Sequence, residues 1–366
     1  MSYIVDKKEE SGMMNFTIQG VDTIFANCLR RTILAHIDTL GIRAIPYDDN
    51  DINMIKNTSQ FNNEILFHRI SCIPVHISDL TKDYKQLKIV CNVENDTDQI
   101  IDVTSKDFKI KDTTTDKFLE EEIRDTIFPA DPKTKDYVLF ARLLPSSHQS
   151  IRKECIHFEA TLSLVNAKLN SVFNVVSTCS YQFTPDRVKQ KNIWTDIQKE
   201  LIKKEMNSDE IADYKKNWEF QDSKRIFKKN SFDFSIETIG VFNNRDIVKK
   251  ACYYIIQQMD RLKNDIEDKQ LIIKKGNTNI TSYDITITDD NHTISKLVEY
   301  ALYTLFYEEK QVLSFVGYRK EHPHRNFGII RVAFNDDTMD EDYIYNLMDP
   351  AVQYIRKVYS KIANDI

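Results

Sequence analysis

Two stretches of this chain carry one pattern. Ile285 to Tyr300, ITITDDNHTISKLVEY, lies over Phe16 to Arg31 without a gap, at an offset of 269 positions (285 − 16 = 269). Asn291, Ile294, Val298 and Leu302 then fall on Asp22, Phe25, Leu29 and Ile33. In each copy an alternating strand-like run leads into residues that are apolar every three or four positions, which makes one apolar helix face. A repeat of this kind predicts two α+β modules of one plan, each with a helix face to hide. The simplest way to cover both faces is to pack them on one another as an intramolecular pseudo-dimer.

The first copy shows its ends clearly. Phe16 and Ile18 alternate with Thr17 and Gln19, and Val21, Phe25, Leu29, Ile33, Ile37 and Leu40 form the helical stripe. Asp22 stands where an N-cap belongs and Gly41 where a helix stops, so a helix reaching Leu40 and then a short strand are expected. A polar Asp/Asn loop follows, then a short helix over Phe61, Ile65, Leu66 and Ile70 that Pro74 ends. From Lys85 to Phe183 the pattern changes to short β-rich runs separated by Asp/Thr/Lys turns and Pro129, Pro132 and Pro145. Trp194 to Lys229 is rich in Lys and Glu, and helices covering the edge of that β region are expected there.

At Phe232 the opening style returns, with FDFSIETIG and a helix face of Ile247, Ala251, Ile255, Met259 and Leu262. The second copy continues in the same order, through SFVGYRKEHPH and FGIIRVAF to a last helix bearing Ile344, Leu347, Val352, Ile355, Val358 and Ile362. The expected division is therefore a discontinuous first module at 1–77 and 230–263, a mostly β insert at 78–229, a linker at 264–280 and a second module at 281–366. Leu271 to Ile273 would give the linker a short edge strand, with Gly276-Asn277 as a turn.

Composition closes several doors. With 50 Lys+Arg against 56 Asp+Glu the net charge is −6, so nucleic acid would be met only locally. Seven glycines form no phosphate cradle, and six scattered cysteines include no C-x-x-C pair, so a structural metal, a nucleotide cofactor and a disulfide framework are all unexpected. No run of about 18 apolar residues occurs, and MSYIVDKKEESG lacks the order of a signal peptide. An intracellular location without direct membrane contact is the expectation.

Two polar groups stand out. Asn27, Arg30 and Arg31 interrupt an apolar helix, either as a solvated face or as a partner surface. His68-Arg69, before Pro74, fits the last turn of its helix, where cations are favoured by the dipole.

These residues carry a family likeness. VDTIFANCLRRTILAHIDTLGI with EILFHRISCIPVHI resembles the N-terminal signature of the α-like subunits of DNA-dependent RNA polymerases, relatives of bacterial α and of the third-largest polymerase II subunit. NHTISKLVEYAL with FVGYRKEHP and FGIIRV resembles their smaller dimerisation partner, the eleventh subunit. Both in one chain is similar to the fused arrangement in large DNA viruses that transcribe in host cytoplasm. The resemblance implies a non-catalytic assembly platform that docks the two largest subunits and other small ones, reaches DNA only through the complex, and resides in host cytoplasm and virion if viral and otherwise in the nucleus; with each helix face covered by the other copy, the isolated chain is expected to be monomeric.

It also implies roles. Asn27, Arg30 and Arg31 match N-x-L-R-R, and His68, Arg69 and Pro74 match H-R-x-x-x-I-P, both resembling surfaces used against the large subunits; a guanidinium fork suits such a buried interface. The internal helix faces would be Phe25, Leu29 and Ile33 against Ile294, Val298 and Leu302. The chain departs from some relatives in lacking a cysteine cluster in the insert, and Lys296, Glu299 and Tyr300 replace Asn27, Arg30 and Arg31 in the second copy, which suggests a different surface there.

Two rival readings fit the sequence less well. His322-Pro-His324 offers two ligands where a catalytic zinc typically takes three from the protein. A free-standing regulator holding DNA through Lys189 to Lys229 meets the obstacle that Asp196, Glu200, Glu205, Asp209, Glu210, Asp213 and Glu219 share the segment.

Overall fold

A computed structural model describes the chain except for residues 1, 82, 146–152, 277–280, 289–291 and 337. The expected cap Asn291 and turn residue Asn277 lie outside the described residues. In chain order the elements begin with β1 (Ile4–Glu10), β2 (Met13–Gln19), α1 (Thr23–Ala35), β3 (Thr39–Gly41), β4 (Ile52–Asn57) and α2 (Asn63–Ser71). Then come β5 (Leu87–Glu94), β6 (Ile101–Thr104), β7 (Phe108–Asp112), β8 (Lys117–Phe118), α3 (Glu121–Ile127), β9 (Leu139–Leu143), β10 (Cys155–Thr161), β11 (Ser163–Val165) and β12 (Val176–Pro185). The chain continues through α4 (Arg187–Lys203), α5 (Ser208–Phe220), β13 (Phe227–Thr238) and α6 (Asn244–Glu267). It closes with β14 (Ile272–Lys275), β15 (Ser282–Thr288), α7 (His292–Leu302), β16 (Leu313–Arg319), β17 (Phe327–Phe334) and α8 (Asp342–Asp365).

The repeat is visible in the element bounds. Adding 269 to the start of β2 gives 282, where β15 begins, and adding it to the start of α1 gives 292, where α7 begins (13 + 269 = 282; 23 + 269 = 292). Each copy then supplies an antiparallel partner strand, β13 to β2 and β17 to β15, and a helix of 24 residues, α6 or α8. Phe16 lies opposite Phe234 in one ladder and Ile285 opposite Ile330 in the other.

The chain divides into two compact units: residues 1–32, 178–237 and 248–366 form one, and residues 33–177 with 238–247 the other. The first unit holds two four-stranded sheets, ordered β1-β2-β13-β12 and β14-β15-β17-β16. Its helices bury apolar faces in which Phe25, Leu29, Val298 and Leu302 are no more than 1% exposed, while Ile294 is only half-buried. Phe25 sits edge-on to Tyr300 and Tyr354 and tilted against Tyr359, each ring centre 5.8 Å away, and the Tyr359 hydroxyl donates to the Phe25 carbonyl at 3.0 Å. Residues from both copies therefore share one buried aromatic cluster. Asp260 of α6 and Arg356 of α8 add an ion pair at 2.8 Å. The β1 hairpin is clasped to the end of α8 by the Tyr3 amide donating to Asp365 at 2.6 Å and by the Lys361 ammonium over the Tyr3 ring at 4.6 Å.

The second unit is built on the five-stranded sheet β4-β10-β5-β7-β8 and the pairs β6-β9 and β3-β11. Its core runs continuously from Leu40, Ile42, Leu66 and Ile73 to Ile89, Phe108, Phe140 and Phe158. The expected boundary at residue 77 therefore falls inside a single core, because β3, β4 and α2 bury their apolar sides against the inserted strands. The Lys/Glu-rich helices differ from expectation too. α4 and α5 belong to the first unit and pack on their own cluster of Trp194, Leu201 and Trp218.

The first helix ends five residues early. It stops at Ala35, and Thr39–Gly41 pairs instead with Ser163–Val165, so these residues take their hydrogen bonds from a ladder. Gly41 is needed for closeness and not as a helix stop: a Cβ there would stand 2.7 Å from the Phe173 ring. The expected linker strand is present as β14, paired with β15 from Ile272 opposite Thr286 to Lys275 opposite Tyr283.

Candidate functional site

In the first unit, α1 carries Asn27, Arg30 and Arg31 on adjoining turns. Positions three apart on a helix are neighbours, and Arg30 donates from Nε and Nη2 to Asn27 Oδ1 at 3.3 and 3.0 Å. The half-buried Arg30 charge also bears on the Cys179 thiol, which burial pushes up to about 12 and the guanidinium pulls partly back. Arg31 is exposed but not wholly outward, for its Nε donates at 3.1 Å to Oγ1 of Thr293, a buried residue of α7. Among the described residues neither arginine has a carboxylate within ion-pair distance.

Asn27 also faces a depression of about 370 Å³, lined with it by Asp22, Ile24, Tyr181, Lys296, Tyr300 and Tyr303. Lys296 is ion-paired to Glu299, which accepts from the Tyr318 amide at 3.3 Å. Positions 296, 299 and 300 are those the repeat aligns with Asn27, Arg30 and Arg31. They were expected to make different contacts from their counterparts, and all three line the depression that Asn27 lines. Tyr181 and Tyr303 escaped the sequence reading. Tyr303 opens a π-helical turn, Tyr303–Glu309, in which it stacks on Tyr307 at 4.9 Å; the i, i+4 tyrosines were the available signal.

In the second unit, α2 starts from Asn62, whose side chain accepts from the Ile65 amide at 2.9 Å. His68 is exposed on the last turn. Arg69 is committed internally: Nε donates to the Phe140 carbonyl at 2.6 Å, Nη2 to the Leu139 carbonyl at 2.9 Å, and the guanidinium lies 5.8 Å over the Phe61 ring. It braces α2 against β9. Pro74 lines an apolar cleft of about 290 Å³ with Leu40, Ile73, Phe173, Val175 and Ile239.

Among the described residues no group of three His, Cys, Asp or Glu is placed to hold a metal ion. The six cysteines are thiols outside any disulfide, and the His322 and His324 rings stack on each other at 5.1 Å. What these sites offer is hydrogen-bond donors, aromatic faces and apolar clefts, the chemistry of protein contact.

Residues 15–259 match the family model of the RNA polymerase Rpb3/Rpb11 dimerisation domain. The chain belongs to this family. It is 24% identical over 295 residues to a conjugation stage-specific protein of Tetrahymena thermophila, covering 69% of this chain and 91% of that one. It is 22% identical over 286 residues to the DNA-directed RNA polymerase subunit Rpo3 of Methanosphaera stadtmanae, covering 73% and 98%. A stretch of 72 residues is 38% identical to Rpo3 of Pyrococcus furiosus, covering 20% and 24%. The family match ends before β14, so the second copy lies outside it.

Proposed function

We propose that this chain is the non-catalytic assembly platform of a multisubunit DNA-directed RNA polymerase. It combines in one polypeptide the two halves that cells generally encode apart, and it docks the two large catalytic subunits. The observation that carries this reading is the aromatic cluster in which Phe25 of the first copy is enclosed by Tyr300, Tyr354 and Tyr359 of the second. The fixed offset between the copies and the packing of Phe25 among second-copy tyrosines support the reading of an internal pseudo-dimer interrupted by a β-rich insert. Relatives named as polymerase subunits support the assignment to that complex.

In this reading Arg31, whose terminal nitrogens have no partner among the described residues, and the Asn27–Arg30 pair meet a large subunit, while His68 and the cleft at Pro74 offer a second contact. Arg69 supports that second surface from within. The fused form suggests a viral polymerase working in host cytoplasm and packaged in the virion, with the chain monomeric until it meets its partners and meeting duplex DNA only through them. Copurification of the tagged chain from its source tests this: the two largest polymerase subunits should be among the bound proteins, and their absence from a stable, folded preparation would overturn it.

A further inference from the structure

The Lys-rich segment is mixed in sequence but sorted in space. Gln190, 8% exposed, donates from Nε2 to the carbonyls of Ser223 at 2.7 Å and Ile226 at 3.2 Å, and the Asp186 amide donates to Ile226 at 3.2 Å. These bonds hold the first turns of α4 against the turn after α5 and the start of β13. Exposed Arg187, Lys189, Lys191, Lys224, Lys228 and Lys229 thereby gather at one end of the α4–α5 hairpin.

The neighbouring carboxylates are engaged. Asp186 caps α4 by accepting from the Lys189 amide at 3.0 Å, Asp222 is 3.6 Å from Arg225, and Glu219 is 3.9 Å from Lys215. None of the six gathered cations has an ion-pair partner among the described residues. Of the acids that weakened the sequence case, Glu219 alone adjoins this end, and it is paired with Lys215. Asp196 and Glu200 stand roughly 14 and 20 Å along α4 from Arg187 at 1.5 Å per residue. Trp194 packs on Trp218 at 5.4 Å, so α5 returns antiparallel and carries Asp209, Glu210 and Asp213 toward the far end.

The same end exposes flat aromatic faces. Phe183 and Phe227, 38% and 40% exposed, stack at 4.3 Å, and Phe220 is 73% exposed with the Lys224 ammonium 6.0 Å from its ring centre. Free cations beside accessible rings are the two components of single-strand recognition, one meeting phosphates and the other stacking on unpaired bases. We propose that this end of the hairpin is a binding surface for single-stranded nucleic acid. An acidic peptide would use the charges but leave the rings without a role, and a duplex keeps its bases out of their reach.

The test uses the intact isolated chain and a fluorescent single strand of about 20 nucleotides, long enough for one such site, and so does not depend on any polymerase partner. Anisotropy titrations should show binding whose log K falls against log salt with a slope of about −2 to −4, for three to six phosphate contacts at about 0.7 each. Reversing Lys189, Lys191, Lys228 and Lys229 to Glu should cost at least about tenfold in affinity and flatten the slope by about 3. Phe220→Ala should cost at least about fivefold with the slope unchanged. Lys203→Glu with Lys204→Glu, at the opposite end, should bind as wild type does. No binding at about 50 mM salt, a duplex binding as tightly as the single strand, or equal displacement by polyglutamate at matched charge would each overturn the proposal.

Discussion

Replacing Phe25 by Ala probes the cluster on which the platform reading stands. The side chain is 1% exposed and has three aromatic neighbours with ring centres at 5.8 Å. Core Phe→Ala changes cost about 3–5 kcal/mol, and edge-on pairs add about 0.5–1.5 kcal/mol each beyond area, so a value near 4–5 kcal/mol is expected. The chain's two tryptophans, Trp194 and Trp218, both lie in the first unit, so their fluorescence reports that unit's unfolding. With a urea dependence of about 2 kcal/mol per molar, the midpoint should fall by about 2 M. Burial alone would give much of this loss, so the decisive quantity is coupling. Phe25→Ala combined with Tyr300→Ala should be less destabilising than the sum of the singles by about 0.5–3 kcal/mol. A midpoint shift below about 0.5 M, or strict additivity, would refute the claim that the two copies share a core.

Three further outcomes follow from the geometry. Arg30→Ala with Arg31→Ala removes bonds to Asn27 and Thr293 worth about 1–2 kcal/mol together; the protein should stay folded by circular dichroism while capture of the second-largest polymerase subunit weakens by about 2–5 kcal/mol. Arg69→Ala should instead destabilise the second unit by about 2–3 kcal/mol, since two backbone carbonyls lose a charged donor; Arg69→Lys cannot span both, and full rescue by Lys in hydrogen exchange of β9 would contradict the brace. The Asp284 carboxyl is held below the usual carboxylate range, first by the Arg331 guanidinium donating at 2.6 and 2.7 Å. Its contribution is present above the unfolded carboxylate pKa near 3.9 and lost as pH falls through the lower folded value, so Asp284→Asn should flatten the acid limb of stability below about pH 4; an unchanged limb would count against the pair.

The repeated strand and helix were legible because both periods were strong and a single offset aligned them. What stayed hidden depends on distant partners. Ile37 and Leu40 fit the helical stripe and are buried, but Thr39–Gly41 pairs with β11, more than 120 positions along the chain, and periodicity carries no trace of that ladder. β1 has no apolar alternation, since of its residues only Ile4 is buried, and its register is set by β2. β4 overlaps the Asp/Asn-rich loop only at Ile52 and Asn53 and is otherwise without a sequence assignment, because much of it is exposed, while its pairing with β10 ties it to the insert. Arg69 was recognisable by motif, yet its acceptors are main-chain carbonyls, which any sequence supplies.

Internal pairing is tested most directly by light scattering coupled to size exclusion, on the intact chain and after cleavage beside Gly276. Intact, the chain should run as a 43.0 kDa monomer, because in the proposed pairing each copy's helix face is covered by the other. A short tether gives the two copies an effective concentration on the order of millimolar, but the helix contacts and the β14–β15 ladder, not the tether, provide the binding. The cleaved fragments should therefore elute together. A stable homodimer of intact chain, or clean separation of the fragments at about micromolar concentration, would show that the two copies do not pair within one molecule.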